Sequence, residues 1–532
     1  MKTPNIKADS PTRRGTLLPL VLVVIVMLTL GGYAFTEQML TELESTVMYA
    51  REVQVRAMAD SGIELTLEML AQRDLIGEEN LYHAPAVFQQ TLLSSAVPRG
   101  NARFTVVAPI ESNPSAKLPR FGLMNESGKI NINELVNLRI EEEDVAYLLA
   151  GGPEEWIMPL DLAELILDYI DAEDPPQPRQ FGGEFEYNKN GPLESLDELL
   201  TIEGVTREML YGEDTNQNGM FDPGEDTNGD GLFQPGWTAF LTVHSVESNL
   251  RTDGTAKINI NQSLLTELFD ALAEEFDEEQ AKFLVAMRMN GPVELDEGND
   301  GSGETATGSG AQGSEEFLKD VAGAVAKGVS GGSDGSVTRA GLDLSGGASY
   351  QFKSIYDLVG SQVDVEVDGK MTTLDSPWTE ATLQDDLPVI MDAFSLSDDE
   401  TILGRININE ARYEVLIGLP GMDPTLADYI ISQQMVDASG QPLSDQIALR
   451  GTTGWLVMNG QVDLPTMREL DQFITARGDV FRAQVIGHFD AGGPICRLEA
   501  VIDATQQPPK VLELRDLTDL GRGFSHSQLL QE

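Results

Sequence analysis

The 532-residue chain is short of basic residues, histidine and cysteine, and each shortage removes a class of function. Only 35 Lys and Arg stand against 87 Asp and Glu, a formal net charge of -52. A surface so acidic repels nucleic-acid phosphates and anionic lipid, and it favours divalent cations. The one cysteine, Cys496, excludes an intrachain disulfide, so packing or metal must hold the chain even in an oxidising compartment. The four histidines, with no Walker loop or His-Glu-x-x-His pair, leave little beyond carboxylates as candidate catalysts. In so acidic a chain paired carboxylates carry no information, and no enzyme is expected. The length exceeds one usual domain and predicts two to four modules.

What the chain does have is a membrane-sized apolar run. Arg13-Arg14-Gly15-Thr16 leads into an uncharged apolar segment that lasts until Glu37, enough to span a bilayer. Lys2, Lys7, Arg13 and Arg14 precede it, which places the N-terminus in the cytoplasm and the bulk beyond the inner membrane. Gly32-Tyr33-Ala34 offers a signal-type cleavage site, but helical character continues past it. From Glu37 to Ala71 there is no proline, and Gly62 is the sole glycine. Leu43, Val47, Ala50, Ala57, Ser61, Leu65 and Met69 recur at helical steps. The pattern predicts one helix from Thr16 to about Ala71, roughly 80 Å long, its first half in lipid and its second half carrying that stripe onto a soluble domain.

A second signal is Asp214-Thr215-Asn216-Gln217-Asn218-Gly219-Met220-Phe221-Asp222-Pro223-Gly224-Glu225. Asp214, Asn216, Asn218, Asp222 and Glu225 stand at loop positions one, three, five, nine and twelve, with glycine at six and the Met220 carbonyl at seven. That is the ligand order of an EF-hand calcium loop, in which a hard cation takes oxygen donors and the last glutamate gives both its oxygens. A second copy follows at once with Asp226, Asn228, Asp230 and the Leu232 carbonyl, but Trp237 stands where its closing carboxylate belongs. Either a weaker site or a ligand borrowed from elsewhere follows; the alternative for both loops is an acidic Asn/Gly turn without metal. Pro223 and Pro235 break the flanks, so structural Ca2+ is expected and not a calcium sensor. Asp168, Asp171 and Asp174 form a further acidic helix end, a solvated surface or another calcium ligand set.

Three segments share an Ile-Asn-Ile-Asn core: Lys129–Asn133, Lys257–Asn261 and Arg405–Asn409. Each reads as a short strand whose final asparagine caps a following helix. After the third, Glu410 to Asp428 reads as a helix-hairpin-helix around Gly418-Leu419-Pro420-Gly421-Met422-Asp423, and Leu200–Val205 as a degenerate relative. Asp423 occupies the position at which a DNA-binding hairpin has its second glycine, which argues against phosphate. Residues 291–349 are rich in Gly, Ser and Asp and read as a linker. Ala102–Ile110, Val480–His488, Ile495–Ala504 and Val511–Arg515 read as strands.

The basic flank ending in Gly15, the apolar run and the long helix resemble the prepilin-like proteins of type II secretion systems and type IV pili. The resemblance implies peptidase cleavage between Gly15 and Thr16, with methylation of the new terminus. The fifth residue from Thr16 is Leu20, where most such proteins carry glutamate. A subunit with no neighbour above it has no use for a buried carboxylate. Loss of that glutamate resembles the large minor pseudopilins known as general secretion pathway protein K, as do Leu167–Asp174 with Pro175-Pro176, Tyr187-Asn188 and Pro192–Leu199. The family implies an α+β fold: a transmembrane helix packed on a pilin-like antiparallel sheet, with inserted helical modules of sterile-alpha-motif or helix-hairpin-helix type. The expected divisions are a leader (1–15), membrane helix (16–72), first part of the sheet (73–125), helical insertion with calcium-type loops (126–290), linker (291–349), second helical module (350–477) and C-terminal strands (478–532). It further implies a place at the tip of a secretion pseudopilus, single-pass in the inner membrane with a periplasmic bulk. The implied partners are minor pseudopilins of the I and J types, the prepilin peptidase and the inner-membrane platform. A type IV pilus subunit and a membrane-anchored nucleic-acid receptor are the alternatives.

Overall fold

Residues Leu17–Ala71 form a 55-residue helix, α1, whose Pro19 stands in the first turn, where a missing N–H costs no helical bond. The computed structural model describes residues 17–94, 101–110, 116–138, 140, 142–172, 178–181, 184–293, 337–434, 451–490 and 492–529. Gly15, Thr16 and Asp174 lie outside the described residues. The most apolar 18-residue window of α1 has a mean hydropathy of 2.4 and none of it is buried. Among the described residues α1 alone is long and apolar enough to cross a membrane.

The second half of α1 packs on a face that shares only the end of the predicted stripe, where Met69 is buried and Ser61 and Leu65 are half-buried. Val55, Ala59, Gly62, Ile63, Thr66, Met69 and Leu70 are buried, whereas Leu43, Ala50 and Ala57 are exposed. Arg51 already stacks on the Phe489 ring at 4.5 Å, burial begins at Val55, and closeness of approach decides the face from there. A Cβ on Gly487 would lie 1.9 Å from the Val55 carbonyl oxygen, and one on Gly62 would lie 2.4 Å from Val485. The buried side is therefore marked by small residues, which a search for large apolar ones passes over. Full burial of Val55, Ile63, Met69 and Leu70 stabilises this docking by about 1.5–3 kcal/mol per side chain.

The partner of α1 is an antiparallel sheet of β1 (Thr91–Ser94), β2 (Ala102–Val107), β3 (Met124–Asn125), β4 (Val480–Phe489), β5 (Cys496–Asp503) and β6 (Lys510–Asp516). Its order is β1-β2-β4-β5-β6, with β3 also on β4. The four expected strands are the four longest in it. Pairing of Val485 with Val106 and Leu498, and of Ala483 with Ala500, puts these side chains on the face toward α1. The two-residue alternation then sends Arg482, Gln484, Arg497, Glu499 and Arg515 to the opposite face.

Between β3 and β4 the chain makes three helical units, each closed by a two-residue parallel pair. Ile130–Asn131 pairs with Leu241–Thr242, Ile258–Asn259 with Phe394–Ser395, and Ile406–Asn407 with Ile474–Thr475. These are the three Ile-Asn-Ile-Asn copies, and the roles of their asparagines differ from expectation. The first asparagine of each accepts from the N–H two residues on, at Asn133, Asn261 and Asn409. The second donates its amide to the carbonyl just past the returning strand: Val243, Leu396 and Ala476. A cap requires only an acceptor; the second position needs a donor to reach across the closure, which asparagine supplies. The middle pair closes around the Gly/Ser/Asp-rich stretch, of which residues 294–336 lie outside the described residues.

The hairpin is present as helices Tyr413–Ile417 and Pro424–Ser432. Asp423 caps the second, its Oδ1 accepting from Thr425 N at 2.7 Å and Leu426 N at 3.1 Å. The N–H groups that would meet a phosphate are thus engaged by a carboxylate.

Candidate functional site

The polar face of the sheet carries a buried ionic chain. Arg482 donates to Glu126 Oε1 at 2.7 Å and, from Nη1, to Glu499 Oε1 at 2.6 Å. Lys129 and the Thr242 hydroxyl hold the same Glu126 carboxylate, and Arg515 reaches Glu499 at 3.3 Å. Burial alone would raise the Glu126 carboxyl, but Arg482 and Lys129 beside it hold it well below the ordinary carboxylate range. Burial and the Arg482 and Arg515 charges act on Glu499 in the same opposed senses, and its carboxyl too is lowered.

The first calcium-type loop sits on this face and is clamped by its backbone. Gln484 Nε2 donates to the Gln217 carbonyl at 2.9 Å, and Arg497 Nη2 donates to the Asn216 and Gln217 carbonyls at 2.5 and 2.6 Å. Arg515 Nη2 adds a bond to Gln217 Oε1 at 3.1 Å. From the other side the Asn218 amide donates to the carbonyl of Gly523. Arg497, fully buried, was not legible as a site residue; its partners lie 280 residues away in the chain.

Inside the loop the predicted residues are joined to one another by hydrogen bonds. Asp214 accepts from Asn218 N at 3.0 Å and Gly219 N at 2.8 Å, and Asn218 Oδ1 accepts from Met220 N. The Asn216 and Asn218 amides both donate to Asp222 Oδ2, at 2.9 and 2.7 Å. Glu225, at the closing position, accepts from Asp222 N with one oxygen and from the Thr215 hydroxyl with the other. Gly219 has φ +73°, and Pro109 lies 2.7 Å from where its Cβ would be, so position six demands glycine twice over.

Two observations show that this set fits a hard cation. Asn216 Oδ1 is buried and has no hydrogen-bond partner. Burial raises the Asp214 carboxyl to about 6, against the pull of the Gly219 and Asn218 N–H groups, with the Glu225 charge adding to the rise. An orphaned amide oxygen beside two carboxylates that repel one another is what an oxygen-seeking divalent cation relieves. Among the described residues no group of three or more His, Cys, Asp and Glu forms a ready metal cluster. The fit rests instead on the mixture of carboxylates Asp214, Asp222 and Glu225, amides Asn216 and Asn218, and the Met220 carbonyl.

The second loop has the same turn and is more exposed. Asp226 accepts from Gly229 N and Gly231 N, Asn228 from Asp230 N, and Asp230 from Leu232 N. Trp237 is buried in the core of the helical units and supplies no oxygen. Of the other acidic residues, Asp168 accepts from the Asn188 amide and Asp171 is exposed past the end of the helix Leu160–Ile170. A cavity of about 110 Å³ lies beside the first loop and the ionic chain, with Asp214, Gln217, Arg482, Glu499 and Arg515 in its wall.

No protein-family model matches the chain, and no curated protein matches it. One solved structure is similar to it: the crystal structure of the GspK-GspI-GspJ complex from the enterotoxigenic Escherichia coli type 2 secretion system. The alignment covers 89% of this chain and 99% of that one, at 12% identity and a TM-score of 0.33. At that distance the likeness carries no argument, and the reading that follows rests on this chain's own residues.

Proposed function

We propose that this protein is a non-catalytic minor pseudopilin at the tip of a type II secretion pseudopilus, where it helps to initiate the fibre that exports folded proteins. The observation that carries the proposal is the division of α1. Its apolar half, Leu17 onward, is bare of protein contact, while Val55–Leu70 is docked on an antiparallel sheet. A helix so divided serves first as an anchor in lipid and then as a strut among neighbouring helices.

Position supports the tip. Leu20, an exposed apolar side chain on α1, stands where a carboxylate would engage the subunit above. The three helical units inserted between β3 and β4 add bulk that a fibre interior has no room for, and a tip does. The alternative of a nucleic-acid receptor is disfavoured by the Asp423 carboxylate on the hairpin amides; the minor subunit of a type IV pilus shares the helix and the sheet. Calcium, held by Asp214, Asn216, Asn218, Asp222, Glu225 and the Met220 carbonyl, supplies a fixed positive charge that keeps the first loop rigid against the sheet. In this reading the peptidase cuts after Gly15, Thr16 is methylated, the bulk is periplasmic, and the I- and J-type subunits pack along α1.

The test is the N-terminus of protein isolated from the membrane, read by mass spectrometry. A chain that begins at Thr16 with a methylated amine is expected. One that begins at Met1 or just after Ala34 would overturn the reading.

A further inference from the structure

We infer that Glu213, which lies outside both twelve-residue loops, is the closing carboxylate of the second loop, so that the segment holds two divalent cations. The inference rests on the calcium reading of the first loop and goes beyond it.

The sequence between Glu213 and Gly236 is a tandem repeat, Glu-Asp-Thr-Asn-x-x-Gly-x-Phe-x-Pro-Gly, in two consecutive copies. Glu225, which closes the first loop, is also the residue before the second, as Glu213 is the residue before the first. In the first loop Glu225 Oε1 accepts from the Thr215 hydroxyl at 3.2 Å. In the second, Glu213 Oε1 accepts from the Thr227 hydroxyl at 2.9 Å and from Thr227 N at 2.9 Å. Thr215 and Thr227 are equivalent in the repeat. Glu213 therefore stands to the second loop as Glu225 stands to the first.

The backbone brings it there. Glu213 N donates to the Gln234 carbonyl at 2.8 Å, which joins the beginning of the first copy to the end of the second. At that seam Gly212 and Gly236 abut, and a Cβ on Gly212 would lie 2.1 Å from the Gln234 oxygen. Phe221 and Phe233, again equivalent, meet at 5.6 Å between ring centroids. The repeat is thus closed on itself, and the carboxylate displaced from position twelve by Trp237 is replaced from the front of the array.

Glu213 is only 6% exposed, its Oε2 has no hydrogen-bond partner, and among the described residues no lysine or arginine pairs with it. A buried carboxylate oxygen left without donor or counter-charge is costly. A cation shared with Asp226, Asn228, Asp230 and the Leu232 carbonyl would satisfy it, with the bidentate acid that calcium loops use.

Calcium ions per chain, counted by native mass spectrometry on the full-length protein in detergent, test this. The wild type should hold two, Glu225→Gln one, Glu213→Gln one, and the double variant none. Glu213→Asp keeps the charge on a shorter arm; it should fold as wild type, by circular dichroism, and weaken one of the two dissociation constants by about tenfold or more. Two tightly held ions in Glu213→Gln, or unchanged affinities in Glu213→Asp, would overturn the assignment. A wild type with one ion, lost in Glu225→Gln, would overturn it while leaving the first loop as read. A wild type with none would remove the calcium reading of both loops.

Discussion

The two faces of one sheet hold their neighbours by opposite means. Toward α1 the side chains are Phe104, Val106, Ala483, Val485, Leu498 and Ala500, an apolar centre with charge only at its margins, where Arg56 pairs with Asp516 and Arg51 stacks on Phe489. Toward the helical units they are Arg482, Gln484, Arg497, Glu499 and Arg515, and nearly every contact is a directed bond with a charge in it. Apolar burial is non-directional, so the first face takes its orientation from shape, through the notches at Gly62 and Gly487. The second takes it from pairing, because each buried charge tolerates only the arrangement that satisfies it.

The contrast is broken most severely from the polar side. Arg482→Ala leaves Glu126 and Glu499 buried without their shared counter-charge, and we expect a loss of about 3–5 kcal/mol in chemical denaturation of the full chain. Replacing all three residues with apolar side chains of similar volume should lose less than Arg482→Ala alone; equal losses would show that the charges do not act as a unit. On the apolar side, Gly487→Val pushes into the Val55 carbonyl and should lose about 1–3 kcal/mol, with faster proteolysis of the released α1 as the second readout. The smallest effect sharpens the comparison by pH. The folded-state values of Glu126 and Glu499 are depressed, so their contribution is full above the ordinary carboxylate pKa of about 4.3 and is lost as pH falls below it. Stability should fall in acid by up to about 1.4 kcal/mol per pH unit for each group, and Glu126→Gln should flatten that slope. Gly487→Val should leave the slope as in wild type.

What the sequence discloses and what it withholds divide along the same line. α1 was legible from the absence of proline between Glu37 and Ala71, and β4 to β6 from alternation, because both signals are local. The hydrogen bonds that tie the first loop together are local, since its residues all fall within twelve positions. The stripe on α1 meets the buried face only at Leu65 and Met69, because before them the face is announced by Ala59 and Gly62. The asparagine pairs were seen as a repeat, but the donor role of Asn133, Asn261 and Asn409 depends on carbonyls that arrive only after a whole unit has folded. Arg497 and Gln484 gave no signal at all, since alternation along β4 and β5 marks them only as residues on a second face. Nothing near them in sequence says that a loop will cover that face.

The pairing of β2 with β4 carries a consequence for how the chain is made. Thr105 and His488 meet across this pair although 383 residues separate them. A chain made from its N-terminus must keep β1 and β2 waiting, with β2 open along the edge that β4 will cover, until its last strands emerge. Three units with local closures can fold in the interval, but the surface on which α1 rests cannot. Such long-range closure is slow and leaves an adhesive edge open meanwhile. An arrest of synthesis before Val480 would therefore yield well-formed helical units on an anchor with nowhere to dock. The last tenth of the chain decides whether the first becomes part of a subunit.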